Sequence, residues 1–212
     1  MRCAALMLLL MLAVMPGHLD SLGHASSGTT HPDDSNGNRF SEPTDIRTDA
    51  GKRPVALFPP AANSVYTDHL GKEVDLRDLS GRILIVNFWA TWCPPCRYEI
   101  PHLVALRSSY ADEDLAIIGI SLDHGSKEQL RPLLTHFVEQ YDINYPIIVD
   151  PEFGLLRHFV RGDLTGVAIP MTFVLDRQGN LFSTHEGLPQ RGGRPDPGGV
   201  LTREIQTLLG RD

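Results

Sequence analysis

Cys93 and Cys96, separated only by Pro94 and Pro95, stand just behind the continuous β-branched and aromatic run Ile83-Leu84-Ile85-Val86-Asn87-Phe88-Trp89. Such a run has the pattern of a central strand buried on both faces. Beyond it, Cys96, Ile100, Leu103, Val104 and Leu106 recur at helical offsets between Pro94 and Tyr110. Pro94 falls in the first turn, where a missing N–H costs nothing. The sequence therefore predicts a strand that ends and a helix that begins at the two thiols, and the rest of the chain has to fold around that junction.

The junction gives the sulfurs different chemistry. Cys93 is expected on the exposed first turn, facing the free N–H groups and the positive end of the helix dipole, which favour a thiolate and lower its pKa below the roughly 8.5 of a free cysteine. Cys96 is expected one turn deeper, shielded, and suited to resolve a mixed disulfide formed by Cys93. The two prolines remove two N–H donors, so they tune the redox poise. Three cysteines in 212 residues are too few for a disulfide scaffold or a four-cysteine metal site. Other uses of the pair stay open on the residues alone. They are a structural disulfide, which closes too small a loop to remove much unfolded-state entropy, and a zinc site recruiting His69 and His102. Two rival functions also stand: a copper-binding chaperone using Cys93, Cys96 and a histidine, and a peroxide-reducing, peroxiredoxin-like enzyme with one attacking cysteine. No resident metal or cofactor is expected for thiol exchange itself.

Met1-Arg2, the uncharged run Cys3 to Met15, the pair Pro16-Gly17 and the small residues Gly23 and Ala25 have the form of a secretory signal over residues 1–25. The apolar run spans about 20 Å as a helix, short of the roughly 30 Å hydrocarbon layer, so an uncleaved anchor is the lesser alternative. A cut after Ala25 removes Arg2, Asp20 and Cys3, leaving the charge at −7 and only Cys93 and Cys96. Ser26 to Pro54, rich in Ser, Thr, Asp, Asn, Gly and Pro, reads as a flexible linker. His18, His24 and His31 in this stretch have no metal-ligand spacing. Residues 55–212 then suffice for one domain. The negative charge and scattered basic residues exclude a phosphate-binding stripe, so nucleic acid is not an expected partner.

Within residues 55–212 the pattern predicts a hairpin over Val65 to Val74 turning at Gly71-Lys72. It continues with the strand Ile83 to Trp89, a helix to Tyr110, a strand over Leu115 to Leu122, a helix over Lys127 to Tyr141, a short strand over Pro146 to Val149 and a brief helix over Gly154 to Val160. Met171 to Leu175 and Leu181 to Glu186 flank the turn residues Asp176 to Asn180, and Val200 to Leu209 reads as a last amphipathic helix. Alternating strands and helices followed by a hairpin and a helix imply an α/β fold with a mixed sheet covered on both faces. Pro189 to Gly199 reads as a flexible loop.

The segments Val86 to Arg97 with Glu99-Ile100-Pro101, then Ile169-Pro170-Met171-Thr172-Phe173-Val174-Leu175-Asp176 and Gly179, resemble the exported TlpA/ResA-type thioredoxins. The resemblance implies a thioredoxin fold, with a strand and helix inserted before the second motif, and a cis bond at Pro170 beside the thiols. It implies that the backbone of Ile169 offers strand-like hydrogen bonds to a client polypeptide. X-Pro is the peptide bond for which cis is accessible. Asn87 stands where cytosolic thioredoxins carry a buried acid, and it cannot accept a proton. Glu99 matches an active-site glutamate of the ResA-like branch, implied to modulate the thiols. Trp92 is expected on the contact surface, whereas packing explains Trp89. The implied activity is thiol–disulfide exchange in the periplasm or cell envelope, with Cys93, Cys96 and Glu99 reacting and Trp92, Ile169 and Pro170 contacting substrate. The implied partners are a disulfide-containing client, such as an apo-cytochrome c or a copper-site assembly factor, and a membrane thiol electron donor.

Overall fold

A computed structural model describes residues 64–160 and 163–210. The expected signal and linker, residues 1–25 and 26–54, lie outside them. Strands β1 (Val65–Thr67) and β2 (Glu73–Asp75) form an antiparallel hairpin, whose turn is held by Asp68 accepting the N–H groups of Leu70 and Lys72. A 3-10 turn, Leu76–Leu79, follows. The next elements are β3 (Ile83–Trp89), α1 (Pro94–Ser109), β4 (Leu115–Ser121), α2 (Lys127–Gln140), β5 (Ile147–Val149) and α3 (Gly154–Phe159). The chain then makes β6 (Met171–Leu175), β7 (Leu181–Glu186), β8 (Gln190–Arg191), β9 (Arg194–Pro195) and α4 (Pro197–Leu209).

The central sheet has the order β5-β4-β3-β6-β7, with β3, β4 and β5 parallel and β6 and β7 antiparallel to their neighbours. This is the thioredoxin-like α/β arrangement, and β5 and α3 precede the proline motif as expected. Successive side chains of β3 point to opposite faces. Ile83, Ile85 and Trp89 join residues of α1, α2 and α4 in one core, while Leu84, Val86 and Phe88 join α3 in the other. Trp89 stacks on Phe137, and Phe88 meets Phe159 and Phe173 edge-on. Full burial of each such side chain contributes roughly 1.5–3 kcal/mol, enough in sum to carry the polar groups buried among them. Among them, Asn87 of β3 lies on the first face, flanked by Gly119 of β4 and Thr172 of β6.

The stretch Pro189 to Gly199 is ordered rather than a flexible loop. Gly192 and Gly193 take positive φ between β8 and β9, a turn that most side chains disfavour, and Arg191 pairs with Asp196. Asp196 also caps α4 by accepting the Gly199 N–H, which starts that helix at Pro197, three residues before the expected Val200. Pro101 lies on the exposed side of α1, and the helix continues past it to Ser109.

Candidate active site

The loop that delivers the cysteines is fixed from beneath. Buried Asp123 accepts hydrogen bonds from the Thr91 N–H, the Thr91 hydroxyl and the Ser121 hydroxyl, tying the end of β3 to the end of β4. The Arg97 guanidinium, on the first turn of α1, donates to the Thr91 carbonyl. This clamp had no recognisable motif in the sequence. Its only signal was one polar residue two positions after each of two strands, Thr91 after β3 and Asp123 after β4.

Cys93 is the N-cap of α1, and it is joined to Cys96 by a disulfide. Because Pro94 and Pro95 carry no N–H, the first backbone donor of the helix is that of Cys96, and it points at the Cys93 sulfur from 3.2 Å. That donor and the helix dipole both favour negative charge on Cys93 once the disulfide opens. The expectation of an exposed Cys93 is corrected. In the disulfide its residue is 3% exposed, with the sulfur bonded to Cys96 and 3.6 Å from the Ile169 carbonyl oxygen. Cys96 is fully buried.

The Ile169–Pro170 bond is cis. Pro170 is buried, and its carbonyl accepts the Gly187 N–H, while Ile169 is half-buried beside the sulfur. Trp92, at 63% exposure, projects next to the cysteines, whereas Trp89 is fully buried. A cleft of about 520 Å³ opens between Trp92 and Ile169, lined further by Phe153, Leu156, Leu164 and Val167.

Glu99, one turn beyond Cys96, is fully buried. Its carboxyl accepts from the Asn87 amide at 2.8 Å and from the Thr172 hydroxyl at 3.1 Å, and Asn87 also donates to Thr172. Burial pushes the Glu99 carboxyl up to about 7, against the downward pull of the Thr172 and Asn87 hydrogen bonds and of nearby His185. The two polar residues thus hold in place an acid that could exchange a proton at neutral pH. Thr172 was inside the quoted motif without an assigned role, and its even spacing from Pro170 along β6 was the signal that placed it on the face of the thiols. Tyr145, also buried, has its hydroxyl pushed further up by burial and by the Glu99 charge. Among the described residues, no three His, Cys, Asp or Glu side chains converge on a metal-sized site, so His69 and His102 are not gathered with the thiols.

A disulfide that can open to a dithiol, capping a helix that leaves a central strand, makes this molecule a thioredoxin-like enzyme of thiol–disulfide exchange. The chain belongs to the AhpC/TSA family, whose model matches residues 59–183, and within it to the ResA/TlpA-type thiol–disulfide oxidoreductases. It is 31% identical to the thiol-disulfide oxidoreductase ResA of a Bacillus cereus strain over 132 residues, covering 62% of this chain and 70% of ResA. The thioredoxin-like protein YneN of Bacillus subtilis is 32% identical over 117 residues, 55% of this chain and 64% of YneN. A solved thiol:disulfide interchange protein of the thioredoxin family from Chlorobium tepidum TLS is 30% identical, with a TM-score of 0.56 over 69% of this chain and 92% of that one.

Proposed function

We propose that this oxidoreductase is exported and works as a reductant of disulfides in cell-envelope clients. The observation that carries the reading is the order of three groups. The Cys93 sulfur lies against the Ile169 carbonyl at the cis-proline, Cys96 is sealed behind it, and Glu99 is sealed one turn further on. In the reduced protein the Cys93 thiolate attacks a client disulfide, forming a Cys93–client bond and expelling the client's other sulfur as thiolate. Ile169 and Pro170 hold the client chain, and Trp92 with its adjoining cleft contacts the side chains. Cys96 then loses its proton to Glu99 and attacks the Cys93 sulfur, releasing the client's second thiolate. Two electrons pass to the client, and the Cys93–Cys96 disulfide re-forms.

The signal-like residues 1–25 and the polar linker 26–54 support export, with anchoring through an uncleaved signal as the variant arrangement. An oxidising envelope requires a separate electron supply, which the family resemblance assigns to a membrane thiol donor reducing Cys93–Cys96. The same resemblance points to apo-cytochromes and copper-site assembly factors as clients. Among the described residues no helix is long and apolar enough to cross a membrane. Equilibration in glutathione buffers tests the direction of electron flow. A reductant has a potential near the roughly −270 mV of thioredoxin, and a value near roughly −120 mV, typical of a dedicated oxidant, overturns the reading.

A further inference from the structure

Glu99 has no solvent exposure of its own, yet a group that takes up a proton in every cycle has to respond to the protons outside. The polar surroundings that reach from Glu99 toward solvent run sideways across the sheet. Thr172 of β6, which donates to Glu99, pairs directly with His185 of β7 in the antiparallel register. Directly opposed residues share a face, with Cβ atoms about 4.5–5.5 Å apart. His185 Nε2 meets the two Glu204 oxygens of α4 at 3.1 and 3.2 Å, and Ser183 donates to the same carboxylate at 2.9 Å. The side chains of His185 and Glu204 remain 18% and 17% exposed, so this pair, unlike Glu99, touches water.

We propose that His185 is a positioning residue for the exchange reaction, a positive charge anchored by Glu204 and set beside Thr172 that favours the ionised form of Glu99. The proposal rests on Glu99 being the proton acceptor of the dithiol. A positive charge on His185, balanced by the Glu204 carboxylate that it meets, sits on the residue paired with Thr172 and favours negative charge on Glu99. Removing that charge leaves the Glu204 carboxylate unbalanced, which disfavours a second carboxylate at Glu99. The downward pull of His185 on Glu99 has this sign.

The other groups facing Glu99 do not supply such a charge. Asn87 of β3 and Thr172 are neutral, and the hydroxyl of Tyr145, ahead of β5, is pushed away from ionisation by burial and by Glu99. His102 lies one turn further along α1, close against Gly198 of α4, where an added Cβ would sit 2.9 Å from its Nδ1.

The test is the titration of Glu99 followed by carboxyl 13C NMR in the oxidised full chain, where the sulfurs carry no proton. His185→Gln keeps a polar side chain and removes the charge, and His185→Lys keeps a positive charge at every pH of the experiment. The proposal predicts that the Glu99 midpoint rises by about half a unit or more in His185→Gln and falls to or below the wild-type value in His185→Lys. Equal midpoints in all three proteins, or the same upward shift in both variants, overturn it. A separate arm compares the pH profile of thiol alkylation in the reduced wild type and Glu99→Gln. An unchanged profile there removes Glu99 as proton acceptor, while the NMR midpoints still decide whether His185 controls its ionisation.

Discussion

Glu99 shows how one residue can be both a liability and a tool. A carboxyl raised from 4.5 to about 7 by burial binds its proton more tightly in the folded chain than in the unfolded one. The stability it contributes is therefore complete below pH 4.5 and is lost as the pH rises through 7. The shift corresponds to roughly 3 kcal/mol at pH 8. Glu99→Gln removes that ionisation, and the Asn87 carbonyl oxygen, which has no partner among the described residues, can turn to accept the new amide. Urea unfolding of oxidised Glu99→Gln is thus expected to show a stability gain of up to about 3 kcal/mol at pH 8, shrinking toward zero at pH 4.5. A variant less stable than the wild type at pH 8 would mean that the buried carboxylate is better satisfied than its surroundings imply. The chemical role of Glu99 was available from the resemblance, but its full burial was not. A solvated helix-surface Glu was the lesser reading of that position, and the approach of β3 and β6 beneath α1 encloses the side chain.

At the scale of elements, β3, β4 and β6 were legible because they are buried on both faces and so appear as largely apolar runs, whereas the partly exposed β7 was legible from the turn residues before it. β3, β6 and β7 begin and end where the pattern places them. Helix α4 was misplaced at its start because its N-cap, Asp196, belongs to a hairpin whose Gly, Pro and Arg content reads as loop. What a run of apolar residues does not show is which side chains meet across it. Gly119 illustrates this, since it sits unremarkably within Leu115–Ser121 yet leaves the space into which Ile147, Trp89 and Tyr145 pack. A Cβ at that position would lie 2.5 Å from Ile147 Cδ1 and 2.9 Å from the Trp89 indole nitrogen. Gly119→Ala is expected to destabilise the fold by about 1–3 kcal/mol through overpacking, visible as a lowered urea midpoint with an unchanged slope. A midpoint equal to that of the wild type would show that these side chains yield without strain.

At the scale of the whole molecule, the sheet carries the redox pair at the end of one central strand and the cis-proline at the start of its neighbour, so β3 and β6 bring together motifs 74 positions apart in the chain. The sequence separates attacking and resolving sulfurs through their places on a helix, and the structure adds the reason the first one leans on Ile169 instead of standing free in solvent. Direct trapping tests this division of labour. Reduced full-length Cys96→Ser and Cys93→Ser variants are each mixed with a disulfide-bonded peptide, and adducts are mapped by mass spectrometry. A lasting mixed disulfide is expected on Cys93 in Cys96→Ser, and none on Cys96 in Cys93→Ser. An adduct forming as readily on Cys96 as on Cys93 would contradict the assignment of the two sulfurs.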